Sequence, residues 1–188
     1  MNDLFRGQLV RLADDSPETR SKSEVRWRRD TEFHRLADSD PAGVISEKKL
    51  REMIEKWMEQ GPERYGFSIR TLDADRLIGG IGLYLPQVHG RDAFVGIFIG
   101  EREFWGKGYG TDAMHLILRY AFMELNLHRV SLGVHDYNPR ALRSYEKAGF
   151  RIEGRTRKDV QREGKRNSSL WMGILREEWL QMQSGGAA

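Results

Sequence analysis

The 188-residue chain contains no cysteine. Disulfides, thiolate metal centres and a cysteine nucleophile are therefore excluded, and the composition is compatible with a reducing compartment, read here as the cytoplasm. No apolar run approaches the ~18 residues of a membrane span. The N-terminus, Met1-Asn2-Asp3-Leu4-Phe5-Arg6, lacks the apolar segment of a secretory signal. There is no internal repeat and no linker that would split the chain. The length fits one domain able to bury a core without staples. Residues 1–183 are read as that domain, and 184–188, without apolar packing residues, as a tail expected to be mobile.

Charge of one sign is also scarce overall, at a net +3, but it is unevenly placed. Residues 1–139 hold 20 Lys/Arg against 22 Asp/Glu, whereas residues 140–166 hold 10 against 4. A basic segment of this kind suits a polyanion, either a phosphorylated cofactor or RNA, or is simply a solvated surface. No aromatic stacking motif accompanies the charges, so nucleic acid is the less expected partner.

What is present concentrates in Phe94–Leu125. An apolar run, Phe94 to Ile99, leads into Gly100-Glu101-Arg102-Glu103 and then Gly106-Lys107-Gly108-Tyr109-Gly110-Thr111. Ala113, Met114, Ile117, Leu118, Ala121, Phe122 and Leu125 then recur at helical spacing. Strand, glycine-rich turn and helix start form a site where free N–H groups can converge on a phosphate or pyrophosphate. A tight turn with no ligand is the alternative. The lysine lies between glycines, which fails the P-loop pattern. Thr111 stands where a dinucleotide fingerprint needs its third glycine.

Taken in order, residues 7–12 read as a first strand. Ser16-Pro17-Glu18 starts a broken helical region reaching about Ala37. Asp38–Gly43 is a loop. Ser46 caps a helix over 47–60 with Leu50, Met53, Ile54, Trp57 and Met58 as its core stripe, ended by Gly61-Pro62. Strands over 65–71 and 77–88 follow, the second with Gly79, Gly80 and Gly82 marking close approach or a bulge. Residues 89–92 form a hairpin turn into the strand at 94. After the central helix come a strand over 128–134, a helix from Asn138-Pro139 to Ala148 capped by Gly149, strands over 150–158 and 168–175 around a turn at 162–165, and a short helix over 177–182. The expected class is α/β (α+β), a mixed, mostly antiparallel sheet of about seven strands with flanking helices.

Two blocks, Trp105-Gly106-Lys107-Gly108-Tyr109-Gly110-Thr111 and Asn138-Pro139-Arg140-Ala141 followed by Tyr145 and Gly149-Phe150, carry a resemblance. The chain resembles the GNAT superfamily of acyl-CoA-dependent N-acyltransferases, in the branch that holds the ribosomal-protein N-terminal acetyltransferases, with spermidine acetyltransferases nearby. Trp105 departs from the Gln/Arg of the general motif. The resemblance implies a strand splay in which acetyl-CoA lies beside Ile97, Phe98 and Ile99. Its pyrophosphate is expected on the amides from Gly106 to Thr111, with Trp105 and Arg143 also in the cofactor set. Asn138 is expected to bond the pantetheine arm, and Tyr145 to be the general acid that protonates the leaving thiolate. No metal is implied. The acceptor is a small-molecule or peptide amine, and a homodimer is compatible with the family. A non-catalytic ribosome- or RNA-associated module using residues 140–166 is the alternative.

The chemistry bounds what the base must do. A side-chain or polyamine nitrogen needs roughly 4–5 kcal/mol of deprotonation at pH 7, an α-amine only about 1 kcal/mol. Glu101 and Glu103 are the nearest candidate bases, or else solvated corner charges. Without a cysteine acyl-enzyme, direct attack in a ternary complex is expected, the oxyanion being held by a backbone N–H of the strand. Trp27, His34, Tyr84 and the Arg162-to-Ser168 turn are candidates to line the acceptor pocket, His34 being read as a surface or capping residue. Ser168 stands where many members of the branch carry Asp.

Overall fold

Three short polar side chains divide the N-terminal region into helices. In a computed structural model of the chain, which describes residues 3–59, 63–87 and 90–185, the Ser16 hydroxyl accepts from the Thr19 amide at 3.2 Å and starts α1 (Pro17–Trp27). The Asp30 carboxylate accepts from the Glu32 and Phe33 amides at 3.0 and 3.3 Å and starts α2 (Thr31–Ala37). Ser46 does the same for α3 (Glu47–Met58). The expected break before Ala37 is thus a cap, which satisfies amides that no helix carbonyl can reach.

The strands are β1 (Val10–Ala13), β2 (Arg64–Thr71), β3 (Leu77–Gln87), β4 (Asp92–Ile99), β5 (Arg129–His135), β6 (Arg151–Arg162) and β7 (Lys165–Leu175). They form one sheet in the order β1-β2-β3-β4-β5-β7-β6. All neighbours are antiparallel except β4 and β5, which are joined by a crossover through α4 (Tyr109–Arg119) and one π-helical turn at Tyr120–Glu124. The expected mixed sheet with one parallel pair is therefore present. The β6–β7 hairpin turns on Glu163 and Gly164, with φ of 49° and 74°. Two left-handed residues match the twist of the strands they join.

Two layers cover the sheet. On one face α4 buries Ala113, Met114, Ile117 and Leu118 against Val95, Val130 and Leu132, and α6 (Arg176–Gly185) adds Trp179. On the other lie α1, α2 and α3. There glycine stands where rings press closely: a Cβ at Gly66 in β2 would overlap Trp57, and one at Gly100, just past β4, would overlap Trp27. Gly79 in β3 lets the Phe98 carbonyl approach, the close contact its glycines predict.

Some expectations need correction. β1 begins at Val10, not residue 7, because the amides of Gln8, Leu9 and Val10 all donate to the Asp112 carboxylate at 3.2, 2.8 and 3.0 Å. In α3, Leu50 and Ile54 are buried, but Met53 and Met58 are about half exposed, since the helix offers the sheet a narrower stripe than its apolar content suggests. The expected tail starts too early: α6 continues through Gly185. Residues 186–188, the helix-ending Gly61-Pro62, and Val88 and His89 lie outside the described residues.

Candidate active site

The parallel pairing of β4 and β5 stops at Phe94↔Ser131. Beyond it the strands diverge around a cleft of about 300 Å3, with Ile97, Phe98 and Ile99 on one wall and Gly133, Val134 and His135 on the other. Backbone direction alternates along a strand. The Phe98 carbonyl faces β3 at Gly79, so the backbone of Ile97 and Ile99 faces the gap. Phe98 instead contributes its ring, which packs edge-on against Trp27 and Phe33 at 6.1 and 6.0 Å.

The glycine turn closes one end of the cleft. Gly106 and Gly108 have φ of 72° and 93°, a region other residues avoid. Gly108 is the N-cap of α4 and supplies no side chain to its first amides. A Cβ at Gly106 would meet nothing within 4 Å, so the turn is open on that side. Gly106, Gly108, Gly110 and Thr111 line the cleft, and Thr111 Oγ1 bonds Ser144 Oγ at 2.8 Å. Among the described residues, Lys107 and Tyr109 do not line it: Lys107 is exposed, and the Tyr109 ring packs against Phe104 at 4.9 Å. Trp105, the motif departure, donates its indole N–H to the Ile99 carbonyl at 2.7 Å and lies 3.8 Å beneath the Arg140 guanidinium. It ties the strand end to the turn.

Helix α5 (Pro139–Lys147) forms the far wall. Asn138 caps it, accepting from the Ala141 amide at 3.2 Å and donating to the Leu36 carbonyl at 3.2 Å. Its side chain therefore joins α5 to α2 while lining the cleft. Arg140, Arg143 and Lys147 also line the cleft and make it basic. Tyr145 faces the same space. Burial pushes its phenol up to about 12, with the Arg140 charge opposing. The group is thus a protonated donor at neutral pH.

Sequence reasoning missed His135. Ending the strand at 134 left out the residue that alternation places with Ser131 and Gly133, away from the buried Val130, Leu132 and Val134. His135 stacks on Tyr137 at 5.0 Å, and its Nδ1 lies 3.5 Å from Ser169 Oγ. Burial and then Arg162 pull its pKa below the usual 6.5, against the pull of Asp159, Asp136 and Asp38. Phe33, Arg140 and Ser144 were missed as well, because only the tertiary fold brings them to the gap.

The acceptor-side expectations fare unevenly. His34 is buried rather than on the surface, at 6 % exposure. Among the described residues, Trp27, Tyr84 and the 162–168 turn do not line the cleft. Arg64 covers Tyr84 at 4.5 Å, and Arg162 donates to the Asp38 and Asp40 carbonyls at 2.8 and 3.0 Å. Ser168 is buried and accepts from the Lys158 amide at 3.2 Å. Glu101 is neither a solvated charge nor a base at the cleft: it is held by Arg26, by Arg76 at 3.1 Å and by the Trp27 indole at 2.9 Å. Glu103 pairs with Arg76. Two cations of the basic segment are engaged internally in ion pairs, Arg155–Asp136 at 2.9 Å and Arg151–Glu178 at 2.7 Å.

An uncapped helix N-terminus, an open glycine turn, a basic wall and a strand with free backbone groups fit a diphosphate continued by a thin extended chain. Among the described residues, no group of His, Asp and Glu could hold a metal ion, and no helix is long and apolar enough to cross a membrane. The family described as an acetyltransferase (GNAT) domain matches residues 10–151. Named a probable N-acetyltransferase, YjcK of Bacillus subtilis is 41 % identical over 135 residues, 71 % of this chain and 73 % of that one. The ribosomal N-acetyltransferase-like YdaF of the same organism is 33 % identical over 128 residues, 68 % and 69 % of the two chains. A solved structure of spermidine N-acetyltransferase from Vibrio cholerae, in complex with CoA and spermine, superposes with a TM-score of 0.78 at 25 % identity, over 92 % of this chain and 98 % of that one.

Proposed function

Because the chain belongs to the GNAT acetyltransferase family and is an N-acetyltransferase that uses acetyl-CoA, we propose that its cleft transfers acetyl directly to a primary amine, with Tyr145 as the acid and His135 as the base. The parting of β4 and β5 after Phe94, with the glycine turn at one end and Tyr145 on the wall, carries this reading. Acetyl-CoA, when bound, supplies an acetyl group activated as a thioester.

The chain's own groups divide the remaining work. Amides between Gly106 and Thr111 hold the diphosphate, and Arg143 adds charge to the same wall. The backbone of Ile97 and the amide of Ile99 orient the extended arm, as a third strand would. Trp105 fixes the Ile99 carbonyl and Asn138 fixes the start of α5, so both position the gap. Tyr145 holds its proton at neutral pH, ready for a departing thiolate. The imidazole of His135, neutral at pH 7, can accept a proton from the incoming amine. A base this weak suits an amine of moderate basicity, which needs only about 1 kcal/mol, better than a lysine-like nitrogen. The acceptor is a small-molecule or peptide amine, and the site of action is the cytoplasm.

The test is CoA release from acetyl-CoA across peptides, amino acids and polyamines, together with thermal denaturation. Saturating acetyl-CoA at about 100 times Kd should stabilise the fold by about 2.7 kcal/mol. No shift and no release with any amine would end the proposal.

A further inference from the structure

The α1–α3 face of the sheet is only partly covered. Helix α2 covers Phe98 through Phe33, and α3 covers Gly66 and Gly82 through Trp57. Phe94 and Trp171 stay 42 % and 46 % exposed. Alternation points both to this face, because Ala93 and Val95 beside Phe94, and Met172 beside Trp171, are buried in the α4 core. Gly96, two residues past Phe94, and Gly133, in register with Trp171, look the same way. Both glycines are exposed and both line the cleft, so the cleft opens to solvent between them.

The opening has a glycine floor and an aromatic rim. A Cβ at Gly96 would meet no atom within 4 Å, whereas one at Gly133 would lie 3.2 Å from the Trp171 ring. The indole thus leans over the Gly133 side, held by its N–H donating to Thr156 Oγ1 at 2.9 Å. Phe94 stands where β4 and β5 part, opposite Ser131. Two strands and two residues separate Phe94 from Trp171, about 12 Å between Cα atoms. An apolar side chain fits between the rings, over the glycines. His135 is one step past Gly133 on the same face. The charges on this part of the sheet are Arg64, stacked on Tyr84 at 4.5 Å, and Arg129 with Glu153, which bond at 2.8 Å over Gly173, with Asp92 in register with Arg129. Asp38, Asp136, Asp159 and Arg162 act on His135 instead, at the reacting end.

We propose that the acceptor is an amine with a bulky apolar or aromatic group within a few bonds of its nitrogen, and that Phe94 and Trp171 receive that group while the nitrogen sits at His135. This rests on the acetyl-transfer reading above. Burying the group between the rings removes apolar surface of both partners from water. A second ammonium suits the place less well. Exposed rings attract a cation only weakly, and the carboxylates on this part of the sheet, Glu153 and Asp92, stand beside Arg129.

The experiment compares kcat/KM, with acetyl-CoA as donor, for phenylalaninamide, leucinamide, alaninamide and spermidine. The three amides have α-amines of similar basicity, so only the side chain varies. Phenylalaninamide and leucinamide should exceed alaninamide by about tenfold or more, as expected for burying part of an apolar side chain, and spermidine should come last. Phe94→Ser combined with Trp171→Thr should bring the phenylalaninamide-to-alaninamide ratio to within about threefold of one. Product inhibition of the wild-type protein gives the same comparison if that variant does not fold: N-acetylphenylalaninamide should compete with the amine about tenfold more strongly than N-acetylalaninamide. Equal turnover of the three amides, an unchanged ratio in the double variant, or spermidine as the preferred acceptor would overturn the proposal while leaving acetyl transfer intact. Absence of both acetyl-CoA binding and turnover would overturn both.

Discussion

The two faces of the sheet are built by different means. The α4 face is an apolar core in which Met114, Ile117, Leu118 and Phe122 are fully buried, and its polar features, the glycine turn and Tyr145, sit at the edge of that core. The α1–α3 face is tied by charge: Arg26 and Arg76 on Glu101, Arg102 on Asp30 and Glu32, Arg35 on Glu163. Directional pairs fix side chains one by one, whereas apolar packing fixes whole elements. The α4 face is therefore a backbone device on a rigid core, and the α1–α3 face a set of individually held polar groups. A substitution in one such pair therefore disturbs individual side chains and leaves the packing of the α4 face intact.

Substitutions on each side should separate these roles. The largest effect is expected at Tyr145: Tyr145→Phe should lower kcat by about 10²–10⁴-fold, with acetyl-CoA affinity changed by less than about threefold. Steady-state kinetics and calorimetry read both, and unchanged turnover would remove the phenol from the chemistry. Next is His135. Its pKa is lowered, so the neutral base is fully present above that value and lost as pH falls through it, at a point below 6.5. The kcat/KM profile should fall on that acid side, and His135→Gln should lower kcat/KM by about 10–100-fold and remove the acid limb. A third change tests the turn. Gly108→Ala introduces a Cβ at φ 93°. The strain is about 1–2 kcal/mol, and acetyl-CoA affinity should fall about tenfold if one amide contact is lost. The smallest functional effect belongs to the other face: Glu101→Ala should cost about 1–3 kcal/mol of stability, read by chemical denaturation, with kcat within about twofold of wild type. A larger loss of turnover would return Glu101 to the mechanism.

Legibility in the sequence followed the same division. Glycine spacing in 106–110 and the Asn138-Pro139 start are local, because each states a backbone conformation within a few residues, and both stand where expected. The caps Ser16 and Ser46 are local in the same sense. Met53 and Met58 misled because periodicity gives the phase of a helix stripe but not its width, which depends on what the helix meets. Glu101 misled because its neighbours in sequence are charged and wet, whereas its partners Arg26 and Arg76 come from other elements.

The sequence by itself determined the order of elements, the mixed sheet and the glycine turn at the start of the central helix, since these follow from residue-by-residue preferences of the backbone. Only the tertiary structure decided where β4 and β5 part, that His135 and Tyr145 share one cleft, and that His34 is buried. The physical reason is that burial and pairing are properties of surfaces brought together across the chain, and no local preference encodes which surfaces meet.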